Sequence, residues 1–293
     1  MKTIRSYIMD RYSVTKKIAL LGIVSNVFLL IIKLCIGLVS HSQAMIADGF
    51  NSAGDVFASV MTYVGNKIAS QPEDENHPFG HGKAEYIFSM IISFSLILVA
   101  FKIFQNSLNS IINREEFFYS VWLVSTAVIT ILLKLALFFY TRKIGSKHNN
   151  LLVLANSEDH RNDVFVTTST LLGIITGNMG MYWIDGVVGI GISLWIFYTG
   201  IKVFAGSYKV LMDTNINEEF KNDVMDMIKS IDGVDHIDDV SAKPVGVRYI
   251  LIVKVSVNGN MTVWESHQIA GIIRRNLKKC KNVADVVVHI NPA

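Results

Sequence analysis

The chain has 293 residues, 17% of them charged and 51% hydrophobic, with a mean hydropathy of +0.40 and a formal net charge of +3. A soluble protein of this length would be about a quarter charged, so a wholly soluble globular chain is excluded, and no basic tract points to nucleic acid. Charge is unevenly spread: eleven acidic residues meet eleven basic ones after Gly206, so the positive excess belongs to the earlier part. This predicts an apolar membrane unit over residues 1–206 and a compact, charge-balanced soluble domain over 207–293.

In chain order, the start (MKTIRSYIMDRYSVTKK) has scattered charges and no small-residue cleavage site, and reads as a cytosolic lead-in instead of a signal peptide. Six segments then approach the roughly 20 apolar residues needed to cross a bilayer. They are Ile18 to Ser40, Ala44 to Ile68, Ala84 to Ile112, Val121 to Tyr140, Leu151 to Thr176 and Trp183 to Ala205. Lys and Arg crowd the lead-in, the second-to-third connection (Lys67, Lys83) and the fourth-to-fifth (Arg142, Lys143, Lys147), and are absent from Ser40–Gln43 and Gly177–Tyr182. By the positive-inside rule both termini are cytoplasmic, in a multi-pass protein of the cell membrane.

Beyond Asp213, Asn217 to Ser230 has helical spacing, with Phe220, Val224, Met227 and Ile231 on one side. Arg248 to Val257 alternates as a half-buried strand, Asn258-Gly259 is a turn, Met261 to Lys278 is a second helix and Ala284 to His289 a short strand. The order helix, strand, strand, helix, strand predicts a small α+β domain with helices on one face of a sheet. Cys35 and Cys280, one in each region, supply neither a disulfide framework nor a CxxC metal site.

The second span contains Asp48, Asn51 and Asp55, and the fifth contains Asp159, His160 and Asp163. Charge at that depth costs several kcal/mol by insertion scales and points to function. Asn51 and Asp55 are four apart, as are Asp159 and Asp163, so each pair stacks on one helical face. The stretches Ala47–Ser59 and Ala155–Thr167 also align: Asp55 over Asp163, each followed by Val-Phe, Asn51 over Asp159 and Asp48 over Asn156. Matched ligand faces on two helices predict one metal site made by Asn51, Asp55, Asp159 and Asp163. Asp48 and Asn156, one turn earlier, read as residues making local bonds near helix ends. His160 lies about 100° round the helix from Asp159 and is expected to point away.

Those four residues offer oxygen only, which suits Mn²⁺ best, then Fe²⁺, whereas Zn²⁺ sites usually include His or Cys. Three carboxylates gathered in low dielectric repel one another, so an arriving cation would displace protons; exchange of metal for protons follows as an expectation.

These features resemble the cation diffusion facilitators, or cation efflux family. Its members have a [His/Asp/Asn]-x-x-x-Asp pair in the second span and another in the fifth, matched by Asn51/Asp55 and Asp159/Asp163, and a stretch similar to Asp74-Glu-Asn-His77-Pro-Phe-Gly-His81-Gly-Lys83-Ala-Glu85. The resemblance covers almost the whole chain. It implies a homodimeric carrier, not an enzyme and without a cofactor, that exports a divalent cation from the cytosol against protons. The soluble domain would be the ferredoxin-like dimerisation and regulatory unit of that family. Lack of His in both pairs resembles the manganese branch; Fe²⁺ and Zn²⁺ exporters of the same family are the alternatives.

The resemblance also implies a loop metal site at Asp74, His77 and His81, for which a loop scaffold is the plain alternative. It implies a charge interlock between Lys83 and Asp213, with two solvated charges as the alternative. His236, His267 and His289 match positions that bind zinc at the cytosolic dimer contact, but Val253 and Asn291 stand where zinc members tend to have His and Asp. The acidic segment Asp232 to Asp239 reads as a hydrated loop, with a weak site for a hard ion at a dimer contact as the alternative. A membrane metal sensor without transport is the rival from another class. An intramembrane aspartyl protease is disfavoured by two polar pairs in place of single aspartates and by the lack of a GxGD segment.

Overall fold

The computed structural model describes residues 2–39, 43–113, 121–177, 183–280 and 282–293. Six long helices come first: α1 (Lys2–Val39), α2 (Gln43–Ala69), α3 (Ala84–Asn113), α4 (Val121–Lys147), α5 (Leu151–Gly177) and α6 (Trp183–Leu211). The charged lead-in is thus the first turns of α1 and not a separate segment. There follow α7 (Glu218–Lys229), β1 (His236–Val245), β2 (Arg248–Val257), α8 (Val263–Leu277) and β3 (Val283–Pro292). The chain divides into two units: Ser6–Ser70 with Ala84–Tyr208, and Lys209–Ala293 with Met1–Arg5 and the Gln71–Lys83 connection.

In the helical unit, four stretches are long and apolar enough to cross a membrane among the described residues: Asp10–Ile36, Ala84–Asn109, Val124–Lys147 and Gly186–Leu211. They expose large apolar side chains such as Val24, Phe28, Leu98, Phe101, Leu132 and Leu194, a surface that lipid would cover. Six such spans were expected, and α2 and α5 do not reach that hydropathy. Both are 27 residues long, but α2 interposes Asn51, Ser52, Asp55, Ser59, Thr62 and Asn66, and α5 interposes the run Asn156–Asp163. Their polar faces are turned inward: Ser52, Asp55, Ser59 and Thr62 on α2, and Asn156, His160 and Asn162 on α5, are all buried. α3 and α6 approach closely at Gly189, where a Cβ would come within 2.1 Å of Ser107 Oγ; small residues permit such packing where lipid supplies no hydrophobic drive.

In the second unit, β1, β2 and β3 form one sheet in that order, β1 antiparallel to β2 and β2 parallel to β3. The parallel step needs a crossover, which α8 provides. Leu251, Val253, Val255 and Val257 of β2 are buried with Val224 and Ile228 of α7 and Ile269, Ile273 and Leu277 of α8 in one core. Both helices start on side-chain caps. Asn217 accepts from the Phe220 amide, and Thr262 and Glu265 make a reciprocal capping box, each replacing a partner that the first helical turn lacks. The last strand is longer than the expected Ala284–His289, because it pairs with β2 from Tyr249 to Val257, with a register shift between Tyr249 and Ile250. Asp238 and Asp239, read as part of a loop, belong to β1 beside a bulge. The β1–β2 turn has Gly246 at φ +59, and a Cβ on Gly82 would meet its Cα at 2.7 Å. Glycine at both positions lets the Gln71–Lys83 connection lie against that turn.

Candidate functional site

On α2, Ser52, Asp55, Ser59 and Thr62 recur at helical spacing as a buried stripe. Asn26 of α1 fixes its middle: its Nδ2 donates to the Asp55 carbonyl at 3.1 Å and to Ser59 Oγ at 3.0 Å. On α5, Asp159 and Asp163 lie a turn apart. The bridge between the two helices is a residue the sequence reading did not single out, Lys134 of α4. Its side chain is 0% exposed, and its Nζ donates to Asp55 Oδ2 at 2.7 Å and also to Asp163 Oδ2. Asp55 and Asp163, the equivalent members of the two aligned stretches, thus face one ammonium. A small pocket around them is lined by Lys33, Asp55, Thr130, Lys134, Asp163, Val166 and Thr167.

Asp159 stands beside this pair. Its Oδ2 is buried without a hydrogen-bond partner. Asp159, His160 and Asp163 each place one ligand atom within 4.8 Å of the others. His160, expected to point away, thus keeps a ring nitrogen near Asp159 and Asp163, although it does not line the pocket. A 100° step leaves neighbouring side chains close enough for a long imidazole to reach the same point. It is fully buried and neither ring nitrogen has a hydrogen-bond partner. Nor does Asn156 make the local bonds expected of it: it is fully buried, with both amide atoms unpaired. Asn51 and Asp48 belong to α2, but their side chains lie outside the described residues.

A buried charge pair also ties the ends of three helices. Arg11 of α1 donates to Glu85 of α3 at 2.6 Å and to the His148 carbonyl after α4 at 3.1 Å. Asn150 donates to Thr15 at 2.9 Å, and Asn66 to the Tyr12 carbonyl at 3.1 Å. On the rim of the helical unit, Arg142 pairs with Glu158 at 2.6 Å, and Arg161 pairs with the same carboxylate.

In the second unit, Asp74, His77 and His81 also bring ligand atoms within 4.8 Å of one another. Asp74 Oδ1 accepts from the Asn76 and His77 amides and lies 3.0 Å from His77 Nδ1, and Asp74 Oδ2 is 3.5 Å from His81 Nε2. These bonds, the His77 amide first, hold the Asp74 carboxyl below its ordinary range. The residues thus scaffold their own loop while presenting a ligand cluster. Lys83 Nζ lies 2.6 Å from Asp213 Oδ1, with Lys243 Nζ at 3.6 Å from Oδ2. The Lys83 hydrogen bond lowers the Asp213 pKa. His236 lies between Asp235, at 2.7 Å, and Asp238, at 3.2 Å, and the Asp235 contact raises its pKa. Asp238 in turn accepts from Asn291 at 3.1 Å. Among the described residues, His236, His267 and His289 do not form such a ligand group within one chain.

Two family models match the chain: the cation efflux transmembrane domain over residues 19–212 and the cation efflux protein cytoplasmic domain over residues 216–293. Among curated relatives, the manganese efflux system proteins MneP and MneS of Bacillus subtilis (strain 168) are 30% and 32% identical to it. Each alignment spans 97% of this chain, and 98% and 99% of those proteins respectively. The magnetosome protein MamM of Paramagnetospirillum magneticum is 28% identical over 89% of this chain and 82% of its own length.

Proposed function

The chain belongs to the cation efflux family, and on that premise we propose that it exports Mn²⁺ from the cytosol in exchange for protons. The observation that carries this reading is the meeting of Asp55 and Asp163, from equivalent places in two aligned helices, at one buried pocket. Asn51, Asp55, Asp159 and Asp163 are the proposed transport ligands. Carboxylate and amide oxygens favour Mn²⁺ over softer competitors in relative terms, and two relatives carry manganese efflux in their names. All six helices α1–α6 would span the cell membrane, α2 and α5 shielded by the other four, with both termini cytoplasmic as the Lys and Arg distribution suggests. Residues 207–293 would form the ferredoxin-like cytoplasmic domain through which a homodimer assembles, and the Lys83–Asp213 pair would tie the Gln71–Lys83 connection to the start of that domain. Asp74, His77 and His81 form a proposed second metal site, and His236, His267 and His289 would need a partner protomer to act together.

One observation favours a second cargo. His160 offers a ring nitrogen beside Asp159 and Asp163, and imidazole suits Zn²⁺. Purified protein in liposomes should take up Mn²⁺ faster when an opposing proton gradient is imposed, with Zn²⁺ as competitor. Mn²⁺ binding without uptake would mean a sensor in place of a carrier, and uptake indifferent to the gradient would remove the exchange.

A further inference from the structure

Lys134 stands in an otherwise apolar stretch of α4, and its ammonium occupies the point that a cargo ion would need. Ammonium and metal ion cannot share the two oxygens it touches. N⁺–H···O⁻ contacts run to about 2.7–2.9 Å and metal–oxygen bonds to about 2.0–2.2 Å, so both cations would sit between the same carboxylates. Lys134 is fully buried and bonded to both, which makes it a built part of the site and not a surface charge swung inward. We propose that Lys134 is a tethered stand-in for the cargo: its ammonium bridges Asp55 and Asp163 and offsets one of their two charges while no metal is bound, and loading displaces it from between them.

This rests on the reading of Asp55 and Asp163 as transport ligands, and adds a competitor the ligand set alone does not contain. The tether has two consequences. Metal must displace a covalently linked cation at high effective concentration, so affinity stays low enough for release. The empty carrier, moreover, returns with one fewer uncompensated carboxylate in low dielectric, which lowers the cost of the move. The flexible four-carbon stem of lysine suits such an exchange, whereas the planar fork of arginine would grip two carboxylates more firmly. Lys33, also lining the pocket, is a second buried cation there; it belongs to α1 and would moderate the charge of the loaded site.

The test uses the full-length purified carrier, Mn²⁺ alone as the probe, and Lys134→Met and Lys134→Arg. Titration at fixed pH should show Lys134→Met binding Mn²⁺ more tightly, by about tenfold or more, while its flux in liposomes falls because release and empty return slow. Lys134→Arg should bind at least about tenfold more weakly than the parent. A lysine with only a structural role would weaken binding in both variants. Unchanged or weaker binding in Lys134→Met overturns the proposal. Should that variant fail to fold, Lys134→Gln takes its place: Mn²⁺ binding tighter than the parent supports the tether, and binding equal to or weaker than the parent overturns it. Asp163→Ala separates the two readings. If it binds Mn²⁺ like the parent, the transport-ligand reading is wrong, whereas a failure confined to the Lys134 variants leaves that reading standing.

Discussion

Removing Asp55 or Asp163 singly leaves Lys134 one hydrogen-bonded carboxylate, whereas removing both leaves its ammonium with none in the helical unit and only Asp159 nearby. An uncompensated buried charge costs about 3–5 kcal/mol. Asp55→Ala/Asp163→Ala should therefore be far less stable than either single variant, and adding Lys134→Met should restore most of the loss. Thermal unfolding of the purified variants measures this; a double variant as stable as the singles would mean that Lys134 has other compensation. His160 belongs to the same scale. If its unpaired ring nitrogen reaches the cargo, His160→Phe should reduce competition by Zn²⁺ against Mn²⁺ by about tenfold, or about 1.4 kcal/mol. Competition flux with both ions gives the ratio, and an unchanged ratio would reduce His160 to packing. The sequence does not place either residue at the site, for different reasons. Lys134 is a lone charge in an apolar span, a signal of the same kind as the aspartates, but it lies outside the repeat that marks the acids. His160 was set aside on helical angle alone, which describes backbone directions and neglects side-chain reach.

Among the elements, those with a strong period and a cap were the legible ones. Arg248–Val257 is β2 as read, and the two helices of the second unit fall within two residues of their expected bounds because Asn217 and Thr262 cap them. The length of β3 could not be read, since pairing with β2 and not its own composition extends it. α2 and α5 were legible as long helices with polar stripes, but hydropathy alone does not make them spans, because residues that serve a site also lower the apolar count. Asp285 on β3 gives a test at this scale. Hydrogen bonds, from Lys278 first and then the Val286 amide and Arg274, lower its pKa to about 2. A depressed carboxylate stabilises the fold above its unfolded value of about 3.9 and loses that contribution as the pH falls toward the folded one. Asp285→Asn should thus cost stability at neutral pH, by less than about 1 kcal/mol because the pair is half-exposed. The deficit should vanish as the pH is lowered from about 4 to about 2; melting curves across that range, with a deficit that persists at the acid end, would contradict the assignment.

At the scale of the whole molecule, the proposed cargo site is built by two stretches that align in sequence and is bridged by a lysine from a third helix. The aligned stretches were readable because spacing and flanking residues survive in the chain; the lysine that joins them comes from α4, outside the repeat. The loop cluster Asp74, His77 and His81 lies in the other unit, so His77→Ala/His81→Ala should lower flux without abolishing it and leave Mn²⁺ binding at the intramembrane site. Loss of all binding in that variant would move the main site to the loop. The central claim is that Asp55 and Asp163 hold the cargo between α2 and α5. Mn²⁺ flux into liposomes by Asp55→Ala and Asp163→Ala, each reconstituted as a folded protein, tests it most directly: both should fall to the level of protein-free liposomes, and near-parent flux in either would contradict the shared site.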